Sequence, residues 1–251
     1  MNVQTFTVIL MERRNRRVAE HCYMCGASAT TRDHVPAKTF FPETKDVGGK
    51  HGDLRKNLLT VPACPEHNQV YSKDEQYVGI ILTCHYPCNE IAIDQFTGKH
   101  WRALKRRPGL LSCYKNPRLV VWDGKETMSF QVDLPRFERV MDKIARAIYW
   151  RHAHKVYGSM PFIIVGANLL TPTGNLSPFA EIDERIDRAP MKDDFCGDSR
   201  IFRYRYLVTG QHAHLPLFRF TFYEGVNVIV GARQSELTPV RASVPRVRAA
   251  R

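Results

Sequence analysis

The sequence predicts an α+β protein: a small metal-stapled unit near the N-terminus, then an α+β region with antiparallel strands and a long amphipathic helix. Three observations carry this. Two Cys/His pairs with metal-ligand spacing fall between Cys22 and His67. Apolar residues Phe137, Val140, Met141, Ile144 and Ile148 recur at three- and four-residue steps, the period of a helix with one buried face. Phe202, Tyr204 and Tyr206, and later Phe218, Phe220 and Phe222, alternate with polar residues, the period of half-buried strands.

Composition sets the outer limits. With 43% hydrophobic and 25% charged residues over 251 positions, the chain is globular rather than disordered and long enough for one large domain or two ordinary ones. Lys and Arg number 37 against 25 Asp and Glu, a formal net charge of +12. Such an excess favours a polyanionic partner, because cationic side chains release the counterions condensed on phosphate. Nucleic acid is the expected partner; a membrane is not, since no lipidation signal or Lys-rich amphipathic helix accompanies the charge. Arg13, Arg14, Arg16 and Arg17 form a first basic run. The apolar run from Val8 to Met11 is too short for a signal-peptide core, so the expectation is a cytoplasmic protein with reduced thiols.

Cys22-Tyr23-Met24-Cys25-Gly26 has the form of a zinc knuckle, two thiolates facing one way from a tight turn. Thirty-nine positions after Cys25, Cys64-Pro65-Glu66-His67 repeats the two-residue gap with His as the second donor. Together Cys22, Cys25, Cys64 and His67 make a closed Cys3His set, the pattern of a structural zinc. The alternative is a redox CxxC. Between the halves stands Arg32-Asp33-His34-Val35-Pro36. Asn57-Leu58-Leu59 follows, and Asn68 comes directly after His67.

The order CxxC, DHVP, NLL, CxxHN resembles the HNH endonucleases, and the likeness covers about residues 20 to 80. It implies a treble-clef-like ββα-metal unit. In such a unit His34 would be the general base. Asp33 and Asn68 would hold a catalytic divalent ion, Mg2+ or Mn2+, and Asn57 would orient the His34 ring. The implied activity is hydrolysis of phosphodiester bonds in DNA, leaving 5′-phosphate and 3′-hydroxyl ends, in restriction or anti-phage defence. The chain departs from the commonest pattern at Asn68, which stands for a final His, and at His67, which stands for a Cys. The spacing from Asn57 to Cys64 is also long. Each residue has a plainer reading: His34 as a strand histidine, Asn57 as a turn residue, Asn68 as the N-cap of the next helix. A zinc-stabilised nucleic-acid-binding module without catalysis, and an RNA-cleaving enzyme, are the alternatives.

Ser72 to Tyr77 reads as a continuation of the helix that begins near Asn68, with Asp74 and Glu75 on a solvated face; a reach of Glu75 toward the metal is the sharper alternative. Cys84 and Cys88 flank His85 without a matching pair and read as buried thiols, as do Cys113 and Cys196. Lys99, His100, Arg102, Lys105, Arg106 and Arg107 surround Trp101, either a phosphate clamp or a solvated helical face. From Leu119 to Val132 strands turn at Asp123-Gly124. Asp133 and Pro135 then open the helix of Phe137 to Ile148, which runs to about His154. Phe162 to Val165 reads as a buried strand, Pro172 to Pro190 as a long connection, and residues 233–251 as a basic tail. The expected organisation is a nuclease unit over 1–88, an accessory α+β domain over 89–232 for substrate or partner binding, and the tail. A protein partner or a second copy of the chain is kept open.

Overall fold

The computed structural model describes residues 20–106, 112, 114–122, 124–158, 163–166, 186–207 and 216–231. Arg13 to Arg17, Arg107, Cys113, Asp123, the connection over 172–185 and the tail therefore lie outside the described residues.

Strands β1 (Thr31–His34) and β2 (Thr60–Ala63) pair antiparallel, Asp33 opposite Val61 and His34 opposite Thr60. The long connection between them is anchored by buried Phe40, Phe41, Val47 and Leu54. Pro65 begins helix α1 (Pro65–Gln69), where its missing N–H costs nothing. Helix α2 (Ser72–Thr83) follows after Val70 and Tyr71, so the expected single helix is two. Asn68 lies inside α1 and is not the N-cap of α2.

Helix α3 (Glu90–Gln95) starts at Asn89, whose side chain accepts from Ala92 N at 3.2 Å, and passes through a wide turn into α4 (Trp101–Arg106). Strands β3 (Lys115–Trp122) and β4 (Lys125–Gln131) form the expected hairpin; Gly124 takes the left-handed φ of 71° that its tight turn requires. Helix α5 (Leu134–Ala153) is the long amphipathic helix. Asp133 caps it by accepting from Arg136 N, His154 ends it in a left-handed conformation, and the five apolar residues that predicted it are buried.

The last sheet has the order β5 (Ile163–Gly166), β9 (Val226–Gly231), β8 (Leu217–Phe222), β7 (Phe202–Leu207), β6 (Lys192–Phe195), antiparallel throughout. Its inner face carries cross-strand rows Phe202–Phe222–Val226 and Tyr204–Phe220–Val228. These side chains bury against the apolar face of α5 in one continuous core that also takes in Cys22, Tyr23, Val35, Val61 and Ile81. Side chains from both sides of position 88 thus share the core. Two close approaches fasten the sheet to the N-terminal half. A Cβ on Gly225 would stand 1.8 Å from the Pro87 carbonyl oxygen, and Gly197, at φ 75°, presses on the Phe41 ring and donates its N–H to the Asn57 carbonyl at 3.0 Å.

No helix among the described residues is long and apolar enough to cross a membrane.

Candidate metal centre and the His34 face

The knuckle turn brings Cys22 and Cys25 together. Gly26 takes a left-handed φ of 76°, its N–H bonds the Cys22 carbonyl at 2.8 Å, and Cys22 N–H bonds the Ala27 carbonyl at 2.7 Å. Cys64 arrives at the end of β2, and the first turn of α1 carries His67 back beside it, Nδ1 3.1 Å from the Cys64 sulfur and 3.8 Å from that of Cys22. The donor atoms of all four residues lie within 4.8 Å of one another. Zinc bonds of 2.0 to 2.3 Å in a tetrahedron place ligands about 3.3 to 3.8 Å apart, so the set fits a zinc ion with modest closure. Burial raises the Cys22 thiol, but the backbone N–H groups of Cys64, Cys25 and Met24 outweigh it and lower the thiol net, which favours the thiolate a metal needs.

Alternation along β1 sends Asp33 and His34 to opposite faces. Asp33 points inward and is 5% exposed. Its Oδ2 accepts from the Tyr23 hydroxyl at 3.0 Å and lies 2.9 Å from the Lys143 ammonium, which also pairs with Glu75. The Lys143 side chain is 1% exposed. Burial first, and then the negative Asp33, hold the Tyr23 hydroxyl well above its ordinary pKa, keeping it a donor. Burial also raises Glu75, against the pull of Lys143.

His34 is half-buried on the other face, and among the described residues its ring has no hydrogen-bond partner. Burial, then the Lys38 ammonium, lowers its pKa; Arg55 adds to this and Asp33 opposes it. A neutral imidazole therefore sits beside two cations. Arg55 is held in place by the Phe41 carbonyl and by Glu43, both at 2.8 Å.

Asn68 reaches β1 through Nδ2, 3.5 Å from the Arg32 carbonyl. Asn57 adopts a left-handed φ of 57°, as a turn residue does, with its side chain exposed; no hydrogen bond joins it to His34 among the described residues. Asp33, His34, Asn57 and Asn68 thus all lie on or beside the β1–β2–α1 unit, but no contact brings Asn57 or Asn68 to the Asp33 carboxylate.

Several expectations are corrected. Asp74 and Glu75 do not face solvent: Asp74 pairs with Arg136 at 2.7 Å and Arg139 at 2.9 Å, and Glu75 with Lys143. In the basic run, His100 is buried on the Thr83 hydroxyl at 2.8 Å, while Lys99 and Arg102 pair with Asp46, leaving Lys105 over the half-exposed Trp101 ring. Cys196 is buried as expected, whereas Cys84 and Cys88 are only partly so. The sequence reading missed Tyr23 and Lys143. A lysine between Met141 and Ile144 on the apolar side of α5 was the available signal.

Comparison with protein-family models, curated proteins and solved structures gives no match in any of the three.

Proposed function

We propose that the chain hydrolyses phosphodiester bonds of DNA in the manner of the HNH endonucleases, with His34 as general base. The observation that supports this best is the His34 face itself: a neutral, partner-free imidazole at the end of β1, flanked by Lys38 and Arg55. An imidazole in its free-base form accepts a proton from water near neutral pH, and the two cations attract a phosphate to the same spot. The Cys22, Cys25, Cys64, His67 cluster fits zinc as a structural staple, with four protein donors and no open position for chemistry. The net charge of +12 suits a nucleic acid. A role in restriction or defence, and the choice of DNA, rest on the resemblance alone.

The resemblance also implies a catalytic Mg2+ or Mn2+ on Asp33 and Asn68. The donor set as folded does not fit one: Oδ2 of Asp33 already serves an ammonium and a hydroxyl, and the carboxylate points away from the His34 face. His34, Lys38 and Arg55 carry the reading without that ion.

The engaged Asp33 favours a second reading, a zinc-stabilised nucleic-acid-binding module without catalysis. Supercoiled plasmid and a single-stranded RNA, incubated side by side with zinc-loaded protein under Mg2+, Mn2+ or neither, decide between them. Nicked plasmid supports the DNA nuclease and cleaved RNA alone the ribonuclease; salt-sensitive binding with both substrates intact leaves the binding module. EDTA is a poor control here, because it would also take the structural zinc.

A further inference from the structure

We propose that Lys143 is the resident counter-cation of Asp33 and Glu75, and that the buried centre these residues form with Tyr23 is closed to divalent ions. The inference does not rest on catalysis by His34.

Four segments meet there: the knuckle gives Tyr23, β1 gives Asp33, α2 gives Glu75 and α5 gives Lys143. The side chains of Lys143, Asp33 and Glu75 are 1%, 6% and 12% exposed. Two carboxylates so far from water demand positive charge, and Nζ of Lys143 supplies it to both at bonding distance. One oxygen of Asp33 takes both the ammonium and the Tyr23 hydroxyl, which donates and so cannot ligate a cation in the same arrangement.

A divalent ion entering at Asp33 would stand next to a fixed ammonium and be repelled by it. Mg2+ is excluded further because it keeps several of its waters, and the core around Cys22, Tyr23 and Ile144 has no room for them. Lys143 has little freedom to retreat. It rises from the buried face of α5, and the Tyr71 ring lies 5.3 Å from Nζ. Lys143 is thus a positioning residue: by holding Asp33 it seats β1 against α2 and α5 and turns His34 to the opposite face.

Mn2+ titration of the zinc-loaded full chain, read by the EPR signal of free Mn2+, tests this. Wild type and Asp33→Asn are expected to titrate alike. Lys143→Met, which keeps the length and removes the charge, is expected to take up one further Mn2+ per chain, and the added change Asp33→Asn to abolish that uptake. A wild-type Mn2+ equivalent that Asp33→Asn removes would overturn the proposal, as would a folded Lys143→Met that gains none. Should Lys143→Met fail to fold, NMR of 15N-lysine-labelled wild type decides. A slowly exchanging side-chain ammonium signal, lost in Lys143→Arg and unmoved by millimolar Mg2+, is the expected result; a Mg2+-dependent shift of it contradicts the closed centre. Neither readout uses cleavage, so failure here is distinct from failure of the nuclease reading.

Discussion

Loss of the zinc should cost the molecule a cross-link rather than a mere ligand, and Cys64→Ser is the direct perturbation. The metal ties Cys25 to Cys64 across 39 positions (64 minus 25). By the chain-entropy relation for a covalent cross-link, releasing a loop of about 40 residues gives the unfolded state about 4 kcal/mol. What the zinc holds is small on its own: a two-stranded sheet of four-residue strands and a five-residue helix, none stable alone in water. For a chain of this size about 4 kcal/mol corresponds to a fall in Tm of about 8 to 16 °C. Thermal melts by circular dichroism with zinc content by mass spectrometry make the measurement, and Cys88→Ala, outside the cluster, is the control. One zinc per wild-type chain, lost in Cys64→Ser together with a drop of that order, is expected. A Cys64→Ser protein that melts with wild type, or wild type without bound metal, refutes the cross-link.

Two further predictions follow from packing and burial. Burial lowers His100 and His85 each to about 4. Their folded pKa lies below the unfolded value of about 6.5, so the unfolded chain binds more protons between the two; the stabilisation is full above about pH 6.5 and is lost as pH falls toward 4, about 3 kcal/mol per histidine. Urea midpoints at about pH 7 and about pH 5 should therefore differ less in His100→Gln than in wild type, and equal differences would disprove the assignment. Gly225→Ala drives a Cβ into the Pro87 carbonyl and should destabilise by about 3 kcal/mol. Gly52→Ala, in open space at φ 71°, should cost only about 1 kcal/mol of left-handed strain; equal losses by urea denaturation would contradict the fastening role of Gly225.

The parts legible in the sequence are those in which a local pattern determines the outcome. Zinc demands four donors of two types in a fixed geometry, so Cys22, Cys25, Cys64 and His67 announce one another from spacing alone. Helix α5 declares itself by its period and the Asp133 cap, and the inner face of the last sheet by its alternating aromatics. The Asp33–Lys143 pair was hidden because its members stand 110 positions apart (143 minus 33), and no local pattern links a strand to a helix face that far along. Glu75 and Asp74 read as solvated for the same reason: their partners sit on α5, not on their own helix. His100 was concealed in a basic run by the charges around it, although helical geometry turns it inward onto Thr83. The bend at Val70 and Tyr71 lacks a Gly or Pro and left no trace.

The central claim is that the zinc-held hairpin presents His34 to a phosphodiester as a base, and His34→Ala tests it most directly. The measurement is the nicking rate of supercoiled plasmid at matched zinc content, with binding of the same DNA followed in parallel. The account predicts a loss of about 100-fold or more in rate with binding unchanged, the scale of general-base catalysis. Equal rates from both proteins, or a wild type that binds DNA and leaves it uncut, would contradict it.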